Sequence, residues 1–366
     1  MRKFILSMTM LVLVLCLKAN VSNAAEISAM ERLDYWDVSK EYTITNQDAT
    51  YHAYLSKDKK ESWIFKADVA KDKKNVKVVI PDKIENAPVV IVGATSGYDE
   101  ILAKQNLGSV GIQAPDGFYY LDAEVTLWGE LLEPWHYSGP YKKNIKSITM
   151  PDTVRYLGAA AFAYTTSVET IYLSNQLVSL REYTFLECKN LKKIDTFAKV
   201  KVEAKEAFTG CSKLTGLAYI TKHLDGDTLS FSNNMVIDLT EKDLVQVMPG
   251  AKKITIPKSV KWIEATAFKN TSIKTLKVSK KNKYFAVHKR CLYRKAEKEL
   301  VYVFGKGSTL TLSKKIKQIS EDVVVTKAKL KKLIISHKVK RYNNWKKPFV
   351  KNNKKIKIYY RGKRVK

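Results

Sequence analysis

Ile148-Thr149-Met150-Pro151, followed by Val154, Leu157 and Ala161-Phe162, is the first full copy of a pattern that recurs along the chain. Twenty-three residues on, Ile171-Tyr172-Leu173-Ser174 is followed by Leu177, Leu180 and Phe185, then by Cys188 and Leu191. Another twenty-three on, Ile194 opens a degraded copy that closes with Ala207-Phe208, Cys211 and Leu214. The pattern returns as Ile254-Thr255-Ile256-Pro257 with Val260, Ile263 and Ala267-Phe268. It returns again as Leu310-Thr311-Leu312-Ser313 with Ile316 and Ile319, and as Leu333-Ile334-Ile335-Ser336 with Val339. A longer period lies over the short one. Met235, Leu244, Ile254, Ile256, Val260 and Ile263 recur 56 residues later as Cys291, Leu300, Leu310, Leu312, Ile316 and Ile319. The register then slips by one, since Ile273 and Leu276 answer to Leu330 and Leu333.

Apolar residues at alternate positions, as in Ile254-Thr255-Ile256, are the period of a short strand with one face inward, and the segment after each strand turns the chain back. One such unit cannot bury its own apolar face. Stacked units can, so each coil is stable only beside its neighbours. The reading is a mainly β fold, a solenoid of short strands stacked at a period of about 23 residues, with hairpin inserts and an N-terminal cap. Phe162, Phe185, Phe208 and Phe268 are expected to stack as an inner column. Cys188 and Cys211, at an apolar repeat position, are expected to be small buried ladder residues and not reactive thiols. The segments 235–248 and 291–304 alternate around polar runs at 238–243 and 294–299, and read as hairpins that each replace an ordinary repeat.

The unit resembles the BspA-type leucine-rich repeat of bacterial surface proteins, which runs roughly L-x-x-I-x-I-P-x-x-V-x-x-I-G-x-x-A-F-x-x-C. Residues 145–168 and 168–191 come nearest to it, and the likeness extends from about residue 76 to about 358. The resemblance implies a leucine-rich-repeat solenoid displayed outside the cell. It implies far less about function, because such folds serve many roles. Val78, Ile80-Pro81 and Ile84 with Pro88 to Ile91 look like the opening repeat. The glycine of the pattern is present only as Leu157-Gly158, and the last repeat carries Trp345 and Phe349 in place of Ala-Phe.

The N-terminus, Met1-Arg2-Lys3 and then an apolar run to Leu17, has the form of a secretory signal, with Ser22 and Ala24 as the small residues before a cut. Residues 1–24 are therefore expected to be removed, and the mature chain to be secreted and associated with the cell surface. No later apolar stretch approaches the roughly 20 residues of a membrane helix. Residues 25–75 lack the repeat, alternate like strands, and are expected to cap the solenoid as an N-terminal β unit. A first repeat block is placed at 76–218, interrupted at 93–144 by an aromatic insertion. A second block at 219–366 carries the hairpin inserts and a strongly basic end. Insertions in repeat arrays gather on one face and often bind ligands, so Trp128, Trp135 and Tyr137 are candidate ligand contacts.

Charge is unevenly spread. From residue 251 onward there are 36 Lys and Arg against 5 Asp and Glu, a balance of +31, while the whole chain carries +29; the first 250 residues thus sum to −2. So dense a charge costs self-repulsion and calls for an anionic counterpart. Lys331, Lys332, Lys338, Lys340, Arg341, Lys346 and Lys347 are candidate contacts to an anionic cell-wall polymer or a host glycan or protein. Nucleic acid ranks below these because of the export signal. No C-terminal sorting motif is read in the sequence, so retention at the cell is expected to depend on this charge. A monomer is expected.

Catalytic signatures are missing. The five histidines show no metal-ligand spacing, and there is no nucleophile elbow or phosphate-binding glycine loop. Asp225-Gly226-Asp227 reads as a turn, since further calcium ligands at the proper spacing are lacking. With three cysteines after signal removal and no C-x-x-C pair, neither a disulfide framework nor a zinc site is expected, and no cofactor or metal is assigned. The competing reading is a wall- or glycan-active enzyme using two of Asp122, Glu124, Glu130 and Glu133 in the insertion.

Overall fold

The repeat strands form a parallel ladder. Val78 pairs with Ile148, Ile148 with Ile171, and Ile171 with Ile194, so strands Val76–Val79, Ile145–Thr149, Thr170–Tyr172 and Lys193–Asp195 lie side by side in one sheet. Further along, Lys253–Ile256 pairs with Thr275–Val278, and Thr309–Thr311 with Lys332–Ile335 and then Lys357–Tyr360. This computed structural model describes residues 33–70, 72–93, 112–113, 119–120, 124–125, 127, 131–132, 142–202, 206–220, 226–319, 323–325, 330–342, 344–351 and 353–366. The expected signal segment, 1–24, lies outside them.

Each coil returns through a second ladder of short strands. Tyr156–Leu157 pairs with Ala87–Val92, Ser179–Leu180 with Lys199–Val202, and Gln318–Ile319 with Lys340–Arg341. A third column consists of turns: Phe162 N–H donates to Thr184 at 3.0 Å and Phe185 N–H to Ala207 at 2.8 Å. The turns need left-handed backbone at fixed places. Ala160, Tyr183 and Glu206 have φ of 52°, 54° and 73°, and Tyr164, Glu187 and Gly210 have 56°, 56° and 77°.

Between the ladders the repeat side chains meet as the apolar pattern requires. Phe162, Phe185 and Phe208 are fully buried and stacked, with ring centroids 5.8 and 5.1 Å apart. Phe268 does not continue their column. It stacks on Tyr302 at 4.1 Å and 7°, in a separate core with Phe304. The reason is that a meander intervenes before the next Ala-Phe turn. Strands Thr228–Ser232, Met235–Asp238 and Asp243–Val247 run antiparallel within the second ladder, and Phe285–His288, Cys291–Arg294 and Glu299–Val303 repeat them.

The 56-residue period is a structural identity. In the first meander Leu229 pairs with Asp238 and Asp238 with Asp243; in the second, Phe285 pairs with Arg294 and Arg294 with Glu299. The irregularity between Val236 and Ile237 recurs between Leu292 and Tyr293, and Asp243 against Trp262 recurs as Glu299 against Gln318. The one-residue slip is present too, since Lys253 faces Thr275 while Thr309 faces Lys332.

At the N-terminal end, Trp36–Thr45, Ala49–Ser56 and Ser62–Val69 form an antiparallel meander whose last strand pairs in parallel with Ala87–Val92. One residue of the insertion has a defined place. Leu127 is buried, donates its N–H to Ala161 at 2.9 Å and accepts from Ala67 at 2.7 Å, which joins the N-terminal sheet to the turn column. At the other end Trp345 and Phe349 are buried in the last core, occupying the Ala-Phe place with larger rings.

Candidate binding face

A strand whose alternate residues enter the core gives the others to solvent, and in the C-terminal third the outward places of the first ladder alternate lysine with threonine, as in Lys253 and Thr255, while Lys340 and Arg341 are exposed on the second. On the second ladder, Lys317 N–H donates to the Lys298 carbonyl and Lys340 N–H to the Lys317 carbonyl, both at 2.8 Å. In the ladder register Lys340 lies beside Gln318 and Gln318 beside Glu299, so these three lysines border neighbouring coils without forming one in-line row. On the first ladder Lys332 faces Lys357. Among the described residues from 251 onward the one ion pair is Arg294 with Glu297, at 3.9 Å. The N-terminal part differs, with Glu169 held between Lys146 and Lys192 and Arg155 paired to Glu61.

Aromatic rings lie under several of these cations. Lys332 Nζ is 4.8 Å from the Tyr359 centroid, Lys340 Nζ is 4.8 Å from Tyr342, and the Arg341 guanidinium is 4.0 Å from Tyr360. Such contacts orient a cation without neutralising it.

The seven basic residues singled out in the sequence are spread over different sides of the coil. Lys331 and Lys332 belong to the first ladder, Lys340 and Arg341 to the second, and Lys338 to the turn between them. Lys346 and Lys347 lie at the start of the short helix Lys347–Lys351, where Lys346 Nζ donates to the Val365 carbonyl at 2.9 Å. All but the half-buried Lys346 are exposed. Trp128, Trp135 and Tyr137 lie outside the described residues, as do Asp122, Glu130 and Glu133; Glu124 is described only as part of strand Glu124–Val125.

Sequence reading passed over Trp262, which is 56% exposed and has the Arg294 guanidinium 5.1 Å from its ring. A signal was available. Trp262 fills an outward place between Val260 and Ile263, where the 56-residue counterpart is the polar Gln318.

The first meander carries the opposite charge. Asp238 and Asp243 face each other across the hairpin and are both buried, with Glu264 against Asp243. Burial first, then the Glu264 carboxyl, pushes Asp243 up to about 7, and burial also raises Asp238. Asp238 Oδ2 and Asp243 Oδ1 have no hydrogen-bond partner among the described residues. Among those residues no group of His, Cys, Asp and Glu is arranged to hold a metal ion, and no helix is long and apolar enough to cross a membrane. Cys188, Cys211 and Cys291 are unbridged and buried, and burial pushes all three thiols up, Cys291 to about 12. What the exposed surface of the C-terminal third offers is positive charge beside ring faces.

No functionally curated protein matches the chain. Among solved structures, a leucine-rich cell surface protein from Faecalibacterium prausnitzii A2-165 is 14% identical, covering 88% of this chain and 76% of its own, with a TM-score of 0.41. The pneumococcal vaccine antigen PcpA is 15% identical over 87% of this chain and 66% of its own, with a TM-score of 0.32. A leucine-rich-repeat protein from Bacteroides ovatus ATCC 8483 is 14% identical over 87% and 71%, with a TM-score of 0.33. The model of the BspA-type leucine-rich-repeat region matches residues 140–248 and 247–356 in six copies. With more than half of its length matched in this way, and with the ladder registers in place, the chain belongs to the BspA-type leucine-rich-repeat family.

Proposed function

We propose that this protein is a cell-surface binding protein whose basic C-terminal third attaches it to an anionic polymer, either the cell's own wall polymer or a host glycan. The observation that carries the reading is the +31 balance after residue 250 on a surface where the described residues supply one ion pair. A fold that only needed solubility would interleave the two signs, as the N-terminal part does. Membership of a family of repeat proteins supports binding over catalysis. The form of the N-terminus supports export.

Charge attraction between exposed groups is screened within about 10 Å at 0.1 M salt and about 3 Å at 1 M. Washing producing cells with about 1 M salt is expected to release intact protein that a low-salt wash leaves in place. Protein that resists the high-salt wash, or that is found free in low-salt medium, overturns the reading.

A further inference from the structure

Beside the second meander lies a shallow pocket of about 280 Å³ lined by Tyr293, Lys295, Lys298, Lys314, Lys315 and Lys317. Two segments build it. Strand Cys291–Arg294 and the hairpin turn after it supply the first three residues, and the turn between Thr309–Thr311 and Gln318–Ile319 supplies the others. The segments are tied by backbone, since the Lys298 carbonyl accepts from Lys317 at 2.8 Å and from Gln318 at 3.3 Å. Lys295 is fixed by donating to the Asn282 carbonyl at 2.6 Å, and Lys315 N–H donates to Ser313 Oγ at 3.2 Å. Among the described residues no acidic side chain lines the pocket.

The duplication shows that the fold does not require the charges of Lys295, Lys315 and Arg294. Fifty-six residues earlier, in the same hydrogen-bond register, the six positions are Ile237, Leu239, Lys242, Lys258, Ser259 and Lys261. The flanking residue is Asp238 where the second copy has Arg294. Both copies fold into the same meander. In the second, an isoleucine is replaced by tyrosine, a leucine and a serine by lysine, and an aspartate by arginine. Gathering five ammonium groups costs more repulsion than the three of the first copy, which also has an aspartate beside them, and the shared meander does not call for the added two. A single monoanion would leave most of that charge uncompensated.

We propose that this pocket is a binding site for a polymer carrying closely spaced phosphate or sulfate groups, with the five lysines taking adjacent anionic groups and Tyr293 lying beside the chain that links them. The proposal rests on the reading of the basic third as a polyanion-binding surface, and it makes one pocket of that surface the specific contact.

The test uses the full mature chain and two probes, inorganic polyphosphate and dextran sulfate, with binding measured across a salt series. The variant K314Q/K315Q/K317Q removes three exposed lysines of the pocket. The control K252Q/K269Q/K274Q removes three exposed lysines that lie outside both the pocket and the seven named contacts, so both variants lower the net charge equally. Thermal melts confirm that both are folded. The pocket variant is expected to bind at least one probe about tenfold or more weakly, with the salt slope reduced by about one per lysine lost, while the control changes less than about twofold. The probe affected tells phosphate from sulfate. Equal weakening in the two variants overturns the pocket and leaves the broader electrostatic reading standing. Failure of the unaltered protein to bind either probe overturns both.

Discussion

The Cys211 thiol donates to the carbonyl oxygen of Phe185, 3.1 Å away, and one coil earlier the Cys188 thiol makes the same contact with Phe162. The Cys and Phe of the repeat are thus partners across neighbouring coils. Each buried thiol adds a second hydrogen bond to a carbonyl that already accepts a turn N–H, from Thr165 at Phe162 and from Cys188 at Phe185, while the phenyl rings stack beside it. Phe185, in the middle of the stack, touches both neighbouring rings. Phe185→Ala is expected to destabilise the protein by roughly 3–5 kcal/mol, since it removes a fully buried ring from a rigid column. Denaturant melts check this, and a loss under about 1 kcal/mol would mean that the stack contributes little beyond local contacts.

The three buried thiols sit in two different cores, Cys188 and Cys211 in one and Cys291 in another. Burial both raises them and blocks access, so the native mature protein is expected to react with a thiol reagent at pH 8 only when it opens. Mass spectrometry of the alkylated sites along a denaturant series would then time the opening of each core. Prompt labelling of Cys211 in native buffer would contradict its placement.

Asp243 gives a pH dependence of known sign. Its carboxyl is raised from 3.8 to about 7 in the folded chain, so between those values the folded state holds a proton that the unfolded state has lost. The contribution is present below the unfolded value and is lost as pH rises through the folded one. Asp243→Asn mimics the protonated form. The variant is expected to be more stable than its parent at pH 8 by roughly 1–3 kcal/mol, the difference shrinking toward pH 4. A pH-independent difference in melting would show that Asp243 is ionised in both states.

Gly210 stands at the left-handed turn position that Tyr164 and Glu187 fill in the preceding coils, with φ of 77°. An added Cβ would lie 2.9 Å from the Glu187 Cα and closer still to its carboxylate. Gly210→Ala is expected to lose roughly 2 kcal/mol, from the backbone conformation together with the clash. Gly226→Ala, with φ of 83° and nothing among the described residues within 4 Å, isolates the conformational part and is expected to lose about 1 kcal/mol. Equal losses in the two melts would remove the contact from the account.

The ladder was legible because its period is written in apolar residues. Ile148, Ile171 and Ile194 face one another across strands as their spacing requires, and Phe162, Phe185 and Phe208 stack for the same reason. The expected column failed at Phe268, whose local Ala-Phe signature is intact. Its neighbour is set by what has been inserted between coils, and the meander brings Tyr302 to it. The basic surface was legible as a total and not as a place, since composition counts lysines without saying which side of a coil each faces.

The repeat, its strands and the 56-residue duplication follow from the order of residues alone, because strand period and coil register depend on residues near one another in the chain or at a fixed offset. What meets across coils is set by the winding of the chain. Leu127 bridges Ala67 and Ala161, Asp243 is buried against Glu264, and lysines from 295–298 and 314–317 converge on one pocket. Such meetings depend on how many residues each turn takes and where each meander begins. These are properties of the wound chain, and no single repeat carries them.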